Sequence, residues 1–414
     1  MKALRLLAAL CIAALPVLAA AGPELPGVQQ WPLRPPPEHP ADVDDDFADL
    51  APFGEKLAAA QVVALGEQSH GSSEEFRYRL RLVRYLHEKL GFDVLLLESG
   101  FYDMGRLSHA VMSRGRQLDE QAPGNVFYMY ANSAEGRELL RYIQKQRLTP
   151  NRLAFAGIDS QHTGNLARTE LLSDLRTALE PAAPELLKDE TAWAAYKQRV
   201  LALVALDRQA PESTEQATFL AYNRRLQDAL CGDRASPVTL GSPAWWCRVT
   251  ASLEAQARSL WSQDRDYQRD NAMGANAIWL VDQLFKGRKV IIWAHTIHIA
   301  KGLQRDAEHL QAGEVMYREW ANRYQVVNFT TTTGSYLDFI DMKPKTLQPP
   351  PAGSLEARLP AGQTLLLRAV DKPLPLPQYG IDYRVDAWPV AMQLGRNWDW
   401  LIALPQVTPV QMTR

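Results

Sequence analysis

A chain of 414 residues, 46% of them apolar and with a formal charge of −2, can bury one large core or two ordinary ones, which argues against wholesale disorder. The near-neutral balance gives no basis for a nucleic-acid partner or for adhesion to an anionic membrane surface.

The N-terminus reads as a targeting segment. Lys2 and Arg5 precede the apolar run 6–18, and Ala19-Ala20-Ala21-Gly22 follows as a small-residue cleavage pattern. This is the signature of a secretory signal peptide over residues 1–21, and it places the mature protein outside the cytoplasm, in the periplasm. The apolar run is shorter than the roughly 20 residues a membrane span needs, so no stable membrane insertion is expected. Leu10 before Cys11 is not the small residue a lipid-attachment site requires. Residues 22–43, with Pro23, Pro26, Pro32 and Pro35-Pro36-Pro37, read as an extended leader outside the core.

From residue 44 to 414 the pattern is that of a catalytic α/β domain. Short apolar, β-branched runs at 61–66, 94–97, 153–158, 290–294, 325–329 and 364–370 predict strands buried on both faces. Between the first two, Phe76, Leu80, Val83, Leu86 and Leu90 recur at helical spacing. Alternating strand and helix predicts a largely parallel sheet flanked by helices. Residues 166–288 break that rhythm and predict a helical insertion, with helices at 214–231 and 252–285, that caps the carboxyl edge of the strands. Cys231 and Cys247 flank a loop inside it, and in an oxidising compartment they are expected to form a disulfide. The stretch 349–414 mixes proline-rich loops with short strands.

Four of the predicted strands run into ionisable residues: Glu67 and His70, Glu98, Asp159 and His162, and His295 and His298. In a parallel sheet all carboxyl ends share one edge, where ligands bind. Carboxylates and imidazoles from distant parts of the chain should therefore meet there. Ser72 followed by Glu75 reads as a capping box that starts a helix. His70 then precedes a helix N-terminus, where the dipole favours the neutral imidazole that can accept a proton. Gly66 and Gly71 allow close backbone approach around it.

The segment Gly66-Glu67-x-x-His70-Gly71-x-x-Glu74, with Arg79, Gly91-Phe92 and a strand ending in Glu98, resembles the opening motif of the erythromycin esterase family. Asn132 and Glu135 after Phe127-Tyr128-Met129-Tyr130, then Gly157-Ile158-Asp159, Arg269-Asp270 with Met273, and Trp293-Ala294-His295-x-x-His298 follow in the family's order. The resemblance implies a metal-independent hydrolase without a cofactor, acting on a small-molecule ester or macrolide lactone, with a possible place in antibiotic resistance. It implies His70 as general base and Glu67, Glu74, Arg79, Glu98 and His295 as further catalytic positions. His298 and Asp159 are implied in substrate binding. Thr296, Ile297 and Glu75 depart from the family's usual residues and should alter the pocket.

On this reading His70 takes a proton from water, Glu67 or Glu98 orients it, and Arg79 or His295 stabilises the developing oxyanion. The chain has no Gly-x-Ser-x-Gly elbow, which argues against a serine hydrolase. Two other readings stand beside it: a metal-dependent hydrolase built on His70, His295 and His298, and a periplasmic binding protein without chemistry.

Overall fold

The computed structural model describes residues 25–57, 59–232, 237–379 and 392–413. The signal-peptide segment 1–21 lies outside these residues. All six expected strands form, and three more join them. In chain order the strands are β1 (Val28–Pro32), β2 (Val62–Leu65), β3 (Val94–Gly100), β4 (Ala154–Asp159), β5 (Val290–Trp293), β6 (Tyr324–Leu337), β7 (Pro344–Thr346), β8 (Leu365–Ala369) and β9 (Trp400–Val407). They hydrogen-bond in the order β1-β8-β9-β6-β2-β5-β3-β4, with β7 added to β6. The pairs among β9, β6, β2, β5, β3 and β4 are all parallel, and β8 and β1 extend the sheet antiparallel.

The central strands alternate between two cores. Val62, Ala64, Val94, Leu96, Val290 and Ile292 face one side, and Val63, Leu65, Leu95, Leu97, Ile291 and Trp293 face the other. A strand covered on both faces needs an apolar residue at every position, which is why these runs show no polar alternation. The second core is closed by α1 (Ser73–Leu90), α2 (Phe101–Arg114) and α3 (Ala134–Gln146). The first is closed by helices between β4 and β5: α4 (Leu171–Ala182), α5 (Glu190–Val204), α6 (Ser213–Cys231), α7 (Pro243–Trp261) and α8 (Arg269–Trp279). These helices bury Trp193, Tyr196, Phe219, Trp245 and Leu253 against that face. This region meets the carboxyl edge of the sheet at Arg269, the first residue of α8, at Leu206 in the loop after α5, and at Arg168 in the short helix Asn165–Thr169. Cys231 and Cys247 are disulfide-bonded, with Cα atoms 5.0 Å apart, and join the end of α6 to the start of α7.

The structure departs from the sequence reading in three places. The expected single helix over 252–285 is two, because Gln263 and Asp264 take left-handed backbone angles (φ 53° and 61°) and end α7. Ser259 fixes that turn by accepting from Asp264 N–H through its carbonyl (2.9 Å) and donating to Asp264 Oδ1 through its hydroxyl (2.8 Å). The proline-rich leader is not outside the fold: β1 pairs with β8, and Leu33 and Ala41 are buried. Its Arg34 and the nearby Asp45 and Asp49 bind one another and Arg81 of α1, so the outer face of that helix is covered too. Ser72 is the N-cap residue of α1, but without the capping box. Glu75 is fully buried and its Oε2 accepts from Gln68 N–H at 2.8 Å, in the loop before the helix.

Among the described residues no helix is long and apolar enough to cross a membrane.

Candidate active site

The order of the central strands sets the site. β2, β5, β3 and β4 are neighbours, so their carboxyl ends deliver Glu67 and His70, His295 and His298, Glu98, and Asp159 side by side. The connections after β2 and β5 are tied directly: Thr296 N–H donates to Glu67 O at 2.9 Å. A cavity of about 620 Å³ opens at this edge, lined by His70, Glu98, Asp159, Arg269, His295 and His298 among others.

His70 and Glu67 form one network. Nδ1 of His70 lies 2.6 Å from Oε1 of Glu67. The same oxygen accepts from the Tyr130 hydroxyl at 2.8 Å, and Oε2 is paired with Arg79. Glu67, Tyr130 and Arg79 are fully buried. Burial alone would push the Glu67 carboxyl up, but Arg79 and His70 overcome it and hold the pKa down to about 2. An ionised Glu67 only accepts, so Nδ1 of His70 carries a proton. Arg79 also stacks over Trp293, 4.0 Å from the ring centroid. Phe127 and Phe339 meet the His70 ring edge-on at centroid distances of 4.7 and 4.8 Å. Phe339 arrives from the β6–β7 hairpin, which passes close to Gly71: Leu337 N–H donates to Gly71 O at 3.0 Å, and a side chain at 71 would strike the Leu337 backbone.

His298 belongs to a second network with a different charge. Its Nδ1 lies 2.5 Å from Asp270 Oδ1 and its Nε2 lies 3.3 Å from Glu98 Oε1. Burial would lower its pKa, but the two carboxylates overcome burial and raise it to about 10. With an acceptor at each nitrogen, the ring is an imidazolium. Glu98, pushed up by burial but more strongly down by His298, His70 and Arg269, stays ionised. Its Oε2 accepts His295 N–H at 2.7 Å. Arg269 grips Asp159 through Nε (3.0 Å) and Nη2 (2.6 Å) and also reaches Glu98 at 3.4 Å.

His295 links the two networks. It caps the short helix Thr296–Ile299, its Nδ1 accepting from Ile297 N–H at 3.2 Å. That places the ring proton on Nε2, which faces Gln68 O at 3.3 Å. Its ring centroid is 5.1 Å from that of His70.

Seven of the eight expected site residues therefore converge: Glu67, His70, Arg79, Glu98, Asp159, His295 and His298. Glu74 does not. It points to the C-terminal segment, accepting from Thr408 N–H (2.6 Å) and its hydroxyl (2.8 Å). One helical position separates Glu74 from the buried Glu75, which turns it 100° away. Arg79 converges behind Glu67 and does not line the cavity, so an oxyanion role for it fails on position. His162, also at a strand end, is fully buried, with its pKa lowered by burial to about 4. Asp270, Tyr130 and Phe339 are site residues that the strand-end pattern does not select. Arg269-Asp270 stands in one of the family's motifs, and Tyr130 lies in the aromatic stretch before Asn132 and Glu135 in another.

The metal reading fares poorly on donor chemistry. His298 has both nitrogens against carboxylates, and His295 Nδ1 is taken by a backbone N–H. Donor atoms of Glu67, His70 and Glu98 do lie within 4.8 Å of one another. Arg79 already balances Glu67, and His298 and Arg269 balance Glu98, so this set does not fit a resident cation.

A sequence model of the erythromycin esterase family matches residues 87–407. The Bacillus subtilis (strain 168) protein named "Putative hydrolase YbfO" is 25% identical over 358 residues, covering 78% of this chain and 75% of its own length. A crystal structure of a protein from Bacillus cereus superposes with a TM-score of 0.73 at 19% identity, covering 93% of this chain and 97% of that one. A mutant erythromycin esterase in its open conformation gives 0.64 at 18% identity, covering 92% and 98%. These structural likenesses establish a shared fold.

Proposed function

The chain belongs to the erythromycin esterase family, and on that premise we propose that it hydrolyses a carboxylic ester or macrolide lactone with water activated by His70. Family membership supports a hydrolase; the observation that carries the mechanism is the 2.6 Å pair of His70 Nδ1 and Glu67 Oε1 at the edge of the cavity. With Nδ1–H engaged by Glu67, Nε2 takes a proton from water as the oxygen attacks the acyl carbon. The tetrahedral intermediate carries an oxyanion. Arg269, a cation that lines the cavity, is the group to stabilise it, in place of Arg79. Collapse breaks the bond to the alcohol oxygen, and His70 returns the proton to that leaving group. Ester and water become acid and alcohol.

Ile297 lines the cavity, and Thr296 beside it is buried. Both replace the residues usual in the family, so the substrate range is the open variable. Purified protein offered a panel of macrolide lactones and simple esters tests the reading. Turnover of at least one, undiminished by exhaustive chelation, is expected; no turnover of any, or activity lost on chelation and restored by zinc, would overturn it. We also propose export to the periplasm, which the Cys231–Cys247 disulfide supports. Cell fractionation should recover the protein there, shortened by the first 21 residues. If a macrolide is a substrate, expression should raise macrolide tolerance.

A further inference from the structure

Tyr130 sits in the short helix Tyr128–Asn132 and is completely buried. Its ring is wedged among Phe127, Phe76 and Trp293, at centroid distances of 5.2, 5.9 and 6.1 Å. The hydroxyl donates to Glu67 Oε1 at 2.8 Å. That oxygen is the one that receives the His70 Nδ1 proton at 2.6 Å, whereas Arg79 holds the other oxygen. Burial, with Glu67 and Glu98 adding to it, pushes the phenol well above its ordinary pKa of 10. The hydroxyl therefore keeps its proton and donates.

We propose that Tyr130 is a positioning residue that tunes the basicity of His70 by competing with it for one oxygen of Glu67. A hydrogen bond to a charged acceptor draws electron density from the shared oxygen. With the Tyr130 bond in place, Glu67 stabilises the His70 imidazolium less than a free carboxylate would, and the imidazole stays neutral at lower pH. The groups that face His70 are Glu67, Tyr130, Glu98 from β3 and His295 from the end of β5, with Arg79 acting through Glu67. Removing the phenolic hydroxyl changes one of these and leaves the ring packing in place. The proposal rests on the reading that His70 is the general base.

The test is Tyr130→Phe, read in two ways. NMR titration of the His70 ring should show its pKa raised by about 0.5–1 unit, the scale of one shared charge-assisted hydrogen bond. The acid limb of kcat/KM for ester hydrolysis should move up by the same amount, with KM little changed. Introducing 3-fluorotyrosine at position 130, a stronger donor of the same shape, should move both the other way, and it serves if Tyr130→Phe fails to fold. An unmoved His70 titration in a folded variant would overturn the proposal, whatever happens to rate or melting temperature. A titration that moves while the acid limb stays fixed would keep the tuning of His70 and remove His70 from catalysis, so the two failures are distinguishable.

Discussion

The two histidine networks at the carboxyl edge of the sheet use the same residue types but surround their histidines differently. His70 has one carboxylate partner, Glu67, whose charge is shared with Arg79 and Tyr130. His298 has two, Asp270 and Glu98, one at each nitrogen. A histidine with one nitrogen on a carboxylate can gain and lose a proton at the other; a histidine clamped at both cannot. The number of acceptors around the ring, more than burial or position on a strand end, separates a base from a fixed cation.

This contrast can be broken at its charges. Glu67→Gln removes the anion between His70 and Arg79 and leaves Arg79 buried without a counter-charge. Denaturant unfolding should show a loss of about 3–5 kcal/mol, the scale for stripping one partner from a buried ion pair. A variant as stable as the wild type would mean that Arg79 finds another partner. By comparison the helical region should be separable from the chemistry. Removing both Cys231 and Cys247 as serines should cost about 3 kcal/mol for a loop of this size, while KM and the pH dependence of turnover stay unchanged. A shifted pH profile would show that the disulfide reaches the networks.

The second network has its own pH signature. The folded-state pKa of His298, about 10, lies above the ordinary 6.5. Its stabilisation is therefore complete below about pH 6.5 and is lost as pH rises through 10. Glu67, held down to about 2 from 4.5, behaves oppositely: its contribution is present above about 4.5 and is lost as pH falls toward 2. Melting temperature should thus fall on both sides of a plateau. Asp270→Asn should flatten the alkaline side, reducing the stability lost between pH 7 and 10 by on the order of 1–2 kcal/mol. An unchanged alkaline slope would show that His298 does not hold its proton there. The smallest effect is expected outside both networks. Glu74→Gln, which weakens the tie to Thr408, should cost about 1 kcal/mol and leave kcat unaltered.

Both networks were partly legible in the sequence, for physical reasons. Glu67, His70, Glu98, Asp159, His295 and His298 follow apolar runs, and a parallel sheet must bring such ends together, so their place in the sequence selects them. The choice between Glu74 and Glu75 turns on which face of α1 is buried, and the leader residues that bury the outer face through Arg81 lie far away in sequence. Phe339 comes from a hairpin that reaches His70 only because β6, 14 residues long, runs on from Asn328 to Leu337 past its pairing with β2. The break before Asp270 depends on left-handed angles at Gln263 and Asp264, residues with no glycine to mark them. β9 carries Pro405 within an apolar run, a residue that argues against a strand; in the fold its carbonyl accepts the hydroxyls of Thr332 and Thr333.

The central claim is that the singly held histidine is the base, and His70→Ala tests it most directly. With a substrate taken from the ester and lactone panel, kcat/KM of this variant is measured against wild type alongside thermal melting. The account predicts at least about a 100-fold loss in a protein that still melts cooperatively; turnover near the wild-type value in a folded His70→Ala protein would contradict it.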